Sequence, residues 1–138
     1  TYMNPISLNK DPQYLSTFSD SGSNLLKYRF RHLAKMDIQA KYKRYMLGFS
    51  SRYNSNMDNI DVIFEDGILG QQVLQGLKEY RMIHNKGALV FDIRAGYQLK
   101  EQLKINFIAN NLLNAEYSSR PADLQPPRNF ILQLQYQL

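Results

Sequence analysis

The clearest pattern in the chain is an alternation of apolar and polar side chains at its end. From Phe130 to Leu138 every second residue is apolar, and three of the four residues between them are glutamine. A helix would mix the two classes on each face, whereas a strand places them on opposite faces. The alternation predicts a strand with one apolar face, formed by Phe130, Leu132, Leu134, Tyr136 and Leu138.

The same alternation recurs upstream and predicts four more strands, over residues 28–42, 45–53, 88–99 and 103–113. Their apolar phases are Tyr28, Phe30, Met36, Ile38, Ala40 and Tyr42; Tyr45, Leu47, Phe49 and Tyr53; Leu89, Phe91, Ile93, Ala95, Tyr97 and Leu99; and Leu103, Ile105, Phe107 and Ala109. A sixth strand is suggested by the alternation of Ile60, Val62 and Phe64. The helical spacing of Leu69, Val73, Leu77 and Tyr80 then indicates a loop with a short helix.

Short and long connections alternate along the chain. Lys43-Arg44 and Lys100-Glu101-Gln102 are brief links, whereas residues 4–25, 54–86 and 114–128 form long loops rich in polar residues or proline. Outer-membrane β-barrels have brief turns at one rim and long loops at the other. A soluble meander usually has short loops at both ends, so the asymmetry favours a membrane barrel.

Four tyrosines lie within a few residues of a short link or of the last residue: Tyr42, Tyr45, Tyr97 and Tyr136. Amphipathic rings favour the level of the lipid headgroups, where the ring is half-buried and the hydroxyl stays hydrated. The four are therefore expected to form one aromatic belt at the periplasmic side. The alternative is that tyrosine is simply common in strands.

Composition limits the function without identifying it. The chain has 138 residues, 43% hydrophobic and 21% charged, with a mean hydropathy of −0.47. Its apolar runs are too short for a membrane-spanning helix, but a barrel strand needs only every second residue to be apolar. There is no cysteine, which excludes disulfides and thiolate zinc sites.

The net charge of +5 comes from basic residues that are spread along the chain. Five of them fall on alternating positions of one predicted strand and its turn: Arg29, Arg31, Lys35, Lys41 and Lys43. This spacing is typical of a polar strand face rather than a nucleic-acid interface. No nucleic-acid partner is expected.

The sequence holds few of the groups that chemistry requires. His32 and His84 have no carboxylate at metal-ligand spacing, and Asp58, Asp61, Glu65 and Asp66 do not follow the order of a calcium loop. No glycine-rich phosphate loop, nucleophile elbow or carboxylate pair is found. We therefore expect no metal, no cofactor and no enzymatic activity.

Two stretches carry a family resemblance. Residues 91–97 read Phe-Asp-Ile-Arg-Ala-Gly-Tyr, and residues 110–117 read Asn-Asn-Leu-Leu-Asn-Ala-Glu-Tyr; Arg120-Pro121 and the run from Pro126 to Phe130 follow. Over residues 88–138, and more weakly over 25–53, the chain resembles the C-terminal strands of TonB-dependent outer-membrane receptors. In that family an Asn-Leu-hydrophobic-Asn segment closes the penultimate strand and a Pro-Arg pair opens the last. The final residue is usually aromatic, whereas here it is Leu138.

The resemblance implies an all-β fold: an antiparallel transmembrane β-barrel segment of about five to six strands, within a barrel of about 22. Residues 1–138 would be the C-terminal portion of a receptor in the outer membrane of a Gram-negative bacterium. It would import a scarce nutrient such as a siderophore, haem or cobalamin. Its partners would be the remaining barrel strands, the plug, the TonB energy-coupling complex acting through that plug, and outer-membrane lipid. The barrel-assembly machinery would read the last strand through Phe130, Leu132, Leu134, Tyr136 and Leu138.

The resemblance also gives the basic residues a place. Arg29, Arg31, Arg52 and Arg94 share the polar phase of their strands, so they would face the lumen and pair with plug carboxylates or guide an anionic ligand. The alternative, which the sequence favours, is that they merely solvate the wall or form salt bridges within it. Arg81 and His84, in the long loop, are placed to touch a ligand. Two alternatives remain: a soluble antiparallel β binding module, and a barrel assembled from several copies of this chain.

Overall fold

The computed structural model describes residues 1–9, 11, 24–64 and 75–137. It contains one five-stranded sheet with the order β1-β2-β3-β4-β5. The strands are β1 (Leu33–Tyr42), β2 (Tyr45–Asn54), β3 (Ala88–Lys100), β4 (Leu103–Asn110) and β5 (Asn129–Tyr136). Each strand pairs with the next along the chain, so the sheet is a meander. The expected antiparallel all-β fold of at least five strands is confirmed.

The chain divides into two compact units. The first, the sheet unit, comprises Ala34–Tyr53, Leu89–Glu116 and Pro126–Leu138; the second, the loop unit, comprises Thr1–Leu33, Asn54–Ala88 and Tyr117–Gln125. The loop unit contains a 3-10 helix (Val62–Phe64) and one short α-helix, α1 (Leu77–Ile83). Among the described residues, no helix is long and apolar enough to cross a membrane.

The register of the sheet unit confirms the predicted faces. Ala95 lies opposite Phe107, which lies opposite Leu132, so one apolar row crosses β3, β4 and β5. The neighbouring row, Gly96, Asn106 and Gln133, belongs to the polar phase. Because residues paired across antiparallel strands share a face, the alternation read from the sequence is the alternation of the folded sheet.

The apolar face of the sheet is not packed into a core. Leu132 is 76% exposed, Leu134 is 67% exposed and Leu47 is 61% exposed. The polar phase instead contains most of the buried positions of the inner strands: Gly48, Val90, Gly96 and Asn106, with Ala109 as the buried residue of the apolar phase. This distribution is the reverse of the one expected for a sheet in water.

The loop unit has an ordinary apolar interior. Met57, Ile60 and Leu77 are 9% exposed or less. Isolated bridges tie its segments together, pairing Tyr2 with His32, Ile6 with Leu25, Phe30 with Met57 and Ser118 with Leu124. Its long segments therefore fold on one another around a small apolar centre.

Two predicted strand boundaries and one predicted strand are wrong. β1 begins at Leu33 rather than Tyr28, because the chain turns at Lys27-Tyr28 and Tyr28 has a left-handed φ of 60°. β4 ends at Asn110 rather than near Leu113, because Asn111 also has a left-handed φ, of 51°. The alternating segment of Ile60, Val62 and Phe64, predicted as a strand, contains a 3-10 helix.

The expected short helix is present as α1, which includes Leu77 and Tyr80. Leu69 and Val73, like Glu65, Asp66 and Leu138, lie outside the described residues, as does most of the predicted 4–25 loop.

Candidate functional site

A cluster of polar side chains joins three strands on the polar face of the sheet unit. Arg94 of β3 donates from Nη2 to Asp37 Oδ2 of β1 at 2.7 Å and to Ser50 Oγ of β2 at 3.0 Å. Ser50 Oγ also donates to Asp37 Oδ2, at 2.5 Å. Arg94 of β3 therefore connects with both β1 and β2 on the polar face.

Glycines make room for these crossings. A Cβ on Gly48 would meet Arg94 Nε at 3.1 Å, so the arginine side chain passes over β2 on its way to Asp37. A Cβ on Gly96 would lie 2.7 Å from Asn106 Oδ1 and 3.0 Å from Met46 Cε. Lys104 Nζ and Met46 Sδ, from the strands on either side of β3, lie 3.9 Å apart. Small residues thus let side chains two strands apart meet on the polar face.

The segment after β4 contains a buried asparagine, Asn111, whose contacts account for the choice of residue at this position. The side chain is only 3% exposed; its Nδ2 donates to Ala115 O at 2.8 Å and Pro126 O at 3.2 Å, and its Oδ1 accepts from Ala115 N at 2.8 Å. Its backbone N–H donates to Asp92 Oδ1 at 2.8 Å. Asparagine suits this place because it tolerates a left-handed φ and offers both donors and an acceptor.

The next asparagine connects the motif to β5. Asn114, with φ 52°, accepts a hydrogen bond at Oδ1 from the backbone N–H of Arg128, 2.8 Å away. Arg128 Nη1 in turn donates to Leu112 O at 3.4 Å. The end of β4 and the beginning of β5 are therefore joined through the residues on which the family resemblance depends.

The four tyrosines of the predicted belt lie at the end of the sheet where the short links are. Tyr42 ends β1, Tyr45 begins β2 and Tyr136 ends β5, while Tyr97 lies three residues before the end of β3. The rings of Tyr45 and Tyr97 contact each other, with centroids 4.9 Å apart. Lys43 Nζ lies 5.3 Å from the centroid of the Tyr42 ring. The described part of the chain thus has an aromatic row at this end.

The last strand is exposed along almost its whole length. Phe130 and Tyr136 are each 61% exposed, and Leu132 and Leu134 are more so. Phe130 stacks on Phe107 with ring centroids 5.9 Å apart. Four of the five residues of the predicted assembly signal therefore present one apolar row, and the fifth, Leu138, lies outside the described residues.

The remaining predicted ligand-binding residues are not brought together. Arg52 is an exposed residue of β2, and Arg31 forms an ion pair with Asp58, from Nε to Oδ2, at 2.9 Å. Arg81 of α1 donates from Nη2 to Met57 O at 2.9 Å. His84 stacks on Tyr80 with centroids 4.3 Å apart, and its Nδ1 lies 3.1 Å from Tyr80 O. Arg31, Arg81 and His84 thus have structural contacts within the loop unit.

Arg29 has a different setting, in a cavity of the loop unit. The cavity has a volume of about 740 Å³. Its walls include Arg29, the aromatic rings of Tyr28, Phe30 and Phe64, and a second arginine, Arg120. In the sequence, Arg120 was singled out only within the Arg120-Pro121 pair of the family resemblance. The cavity could not be read from the sequence, because its walls come from segments about ninety residues apart.

Among residues 1–9, 11, 24–64 and 75–137, no group of three or more His, Asp or Glu side chains could hold a metal ion. The chain matches no family model, no curated protein and no solved structure.

Proposed function

We propose that the chain is part of the β-barrel of a TonB-dependent receptor in the outer membrane of a Gram-negative bacterium, and that the whole receptor imports a scarce nutrient. The sheet unit would be membrane wall, its apolar face against lipid and its polar face toward the lumen. The imported ligand would be of the class carried by such receptors: a siderophore, haem or cobalamin. Energy would come from the TonB complex through a plug.

The observation that carries the proposal is the exposed apolar face of the sheet. Phe130, Leu132 and Leu134 form a continuous row on β5, and Phe107 of β4 extends it while 45% exposed. Exposed apolar patches of this extent are rare on soluble monomers. In a bilayer the same face needs no protein cover, since hydrocarbon takes the place of a core.

Two further features support the membrane assignment. The row of tyrosines lies at the end of the short links, where a barrel has one of its aromatic girdles. The polar face carries the Arg94–Asp37–Ser50 cluster, and charged groups inside a barrel wall must satisfy one another or meet water. A soluble β-sandwich would need a second sheet to cover the apolar face.

The decisive experiment measures which face of β5 meets lipid. The chain has no cysteine, so single cysteines at positions 132, 133, 134 and 135 can each carry an environment-sensitive fluorophore. After expression of the whole gene and reconstitution into liposomes, positions 132 and 134 should be quenched by spin-labelled lipid. Positions 133 and 135 should be quenched by aqueous iodide instead.

Positions 133 and 135 are matched controls for positions 132 and 134, because adjacent residues point to opposite faces of the sheet. Their depths in the bilayer differ by no more than the rise of one strand residue, about 3.4 Å. Protection of positions 132 and 134 from both quenchers would indicate a protein core and support the soluble binding module. Fractionation adds a second criterion: recovery in the soluble fraction without detergent would contradict the proposal. A homo-oligomeric barrel would give the same quenching pattern but a multiple of the chain mass in detergent.

A further inference from the structure

The loop unit contains a cavity that the proposed function does not assign. Its volume, about 740 Å³, lies within the range of small-molecule sites, roughly 300 to 1,000 Å³. Its lining combines aromatic and aliphatic side chains with two arginines, Arg29 and Arg120. An apolar lining with a few converging polar groups is the usual composition of a site for an organic ligand.

The two guanidinium groups are available to a ligand. Neither Arg29 nor Arg120 has a side-chain hydrogen bond or ion pair with any described residue. Three carboxylates of the loop unit have other partners: Asp58 pairs with Arg31 at 2.9 Å, Asp61 pairs with Lys27 at 3.2 Å, and Asp123 accepts hydrogen bonds from Ser119 and Gln125. The positive charge of the cavity wall is therefore not neutralised by these carboxylates, and a guanidinium prefers a planar oxyanion as its partner.

Arg120 is held at the tip of a closed hairpin. Ser118 bridges Leu124, Gln125 N donates to Tyr117 O at 2.9 Å, and Asp123 N donates to Arg120 O at 3.1 Å. Gln125 Nε2 also donates to Ser119 Oγ at 3.2 Å. These bonds restrict the hairpin, so Arg120 is presented to the cavity by an ordered backbone.

The opposite wall is fixed at Tyr28. This residue has a left-handed φ of 60°, which costs a non-glycine residue about 1 kcal/mol or more, and its N–H donates to Asn59 O at 2.9 Å. Its ring meets Phe64 edge to face, with centroids 6.3 Å apart. The turn thus brings an aromatic pair and Arg29 to the same cavity.

We infer that this cavity binds an organic anion with a planar apolar body, the carboxylate or a similar oxyanion contacting Arg29 and Arg120 and the body lying against Tyr28, Phe30 and Phe64. The inference concerns a site outside the proposed function and does not require the receptor proposal. If the receptor proposal also holds, the inference deepens it. In that case the anion would be a ligand met at the loops. Binding itself requires nothing but the folded loop unit.

The test compares two probes of the same shape, 2-naphthoate and its neutral amide, by calorimetry on the full chain purified in its folded state. The wild type should bind the carboxylate more tightly than the amide, by about tenfold or more. The double variant R29Q/R120Q should lose that preference and still bind the amide. Retained binding of the amide shows that the cavity of the variant remains folded.

R44Q is the matched control, since it removes one exposed arginine from the link between β1 and β2 and should leave both affinities unchanged. F64A should weaken both probes equally, because it removes apolar wall and no charge. The inference is overturned if the wild type binds neither probe at millimolar concentration, if it binds them equally, or if R29Q/R120Q keeps the preference. None of these outcomes depends on membrane location, so the inference and the receptor proposal can fail separately.

Discussion

The sheet unit and the loop unit are built from one chain but differ in the kinds of side chain that they bury and expose. In the loop unit Met57, Ile60 and Leu77 are buried while Arg31 and Asp58 pair at the surface. In the sheet unit leucines are exposed while Asn106 and Asn111 are buried. The two units therefore differ in the side chains that they bury, a difference that the proposed membrane location of the sheet unit would explain. The following predictions test this difference.

The largest effect is expected from the buried asparagine of the sheet unit. Asn111→Ala removes three side-chain hydrogen bonds and leaves Ala115 and Pro126 with unsatisfied backbone groups. We expect a loss of about 4 kcal/mol in the free energy of unfolding, measured by urea titration with far-UV circular dichroism. Asn59, the buried asparagine of the loop unit at 8% exposure, donates one such bond, to Leu25 O at 2.7 Å, so Asn59→Ala should cost only about 1 to 2 kcal/mol.

Asn111→Gly separates the two roles of the asparagine. Glycine adopts the left-handed φ without strain, so this variant loses only the side-chain bonds. It should be more stable than Asn111→Ala by about 1 kcal/mol. Equal costs for Asn111→Ala and Asn59→Ala would show that the polar network of the sheet unit has no special weight.

A charge on the apolar face should produce the next largest effect. Leu132→Arg places a guanidinium where we propose hydrocarbon, at a cost of about 3 kcal/mol near the bilayer midplane. Gln133→Arg, one residue away on the other face, should change stability by less than about 0.5 kcal/mol. Leu8→Arg in the loop unit, where Leu8 is 87% exposed, should be similarly neutral. Unfolding from liposomes in urea measures all three; a neutral Leu132→Arg would contradict the lipid-facing assignment.

The loss of stability on breaking an ion pair should also differ between the two units, but by less than in the preceding comparisons. Arg94→Gln breaks a contact that includes both Asp37 and Ser50, and we expect a loss of about 1 kcal/mol. Arg31→Gln breaks an exposed pair with Asp58, and should cost about 0.5 kcal/mol or less. Raising the salt concentration should diminish the second effect more than the first. Identical costs and identical salt dependence would remove this part of the contrast.

The smallest effect concerns pH and the loop unit. The N–H of Ile63 and, secondarily, Lys27 hold the pKa of the Asp61 carboxyl below its ordinary value of 3.8. A depressed pKa in the folded state means that the carboxylate stabilises the fold above 3.8 and that this contribution is lost as the pH falls through the folded-state pKa. The difference in free energy of unfolding between wild type and Asp61→Asn should thus be present at pH 6 and shrink below pH 3.8. A pH-independent difference would exclude this linkage.

The sheet was readable from the sequence because strand alternation is local. From β3 to β5 the apolar and polar faces predicted for each strand agree with the register of the strand pairs. The prediction was possible because the sequence of a single strand shows which of its residues share a face. The boundaries at Tyr28 and Asn111 failed because a single left-handed residue ends a strand without interrupting the alternation. Asn111 belongs to the segment that carries the family resemblance. Its hydrogen bonds could not be predicted, because they depend on residues that folding brings close together.

The sites were less readable. Arg94 was predicted to lie in the polar phase of its strand, but its partners Asp37 and Ser50 lie 57 and 44 residues away, and no spacing rule connects them. The cavity requires residues from four separate segments, including Arg120, which carried no independent sign of binding. Alternation predicts which way a side chain points, but not which loops will converge. The membrane location and the imported nutrient stay predictions.

The glycines at 48 and 96 have a mechanical consequence. Side chains occupy volume, so a sheet with bulky residues on one surface and vacant positions on the other can bend toward the vacant surface. Met46 and Lys104 approach each other across Gly96, so the side chains on either side of β3 come together on this surface. Filling the hollow with valine would oppose the bend and favour a flatter wall. These two positions therefore help to set how tightly the sheet can curl.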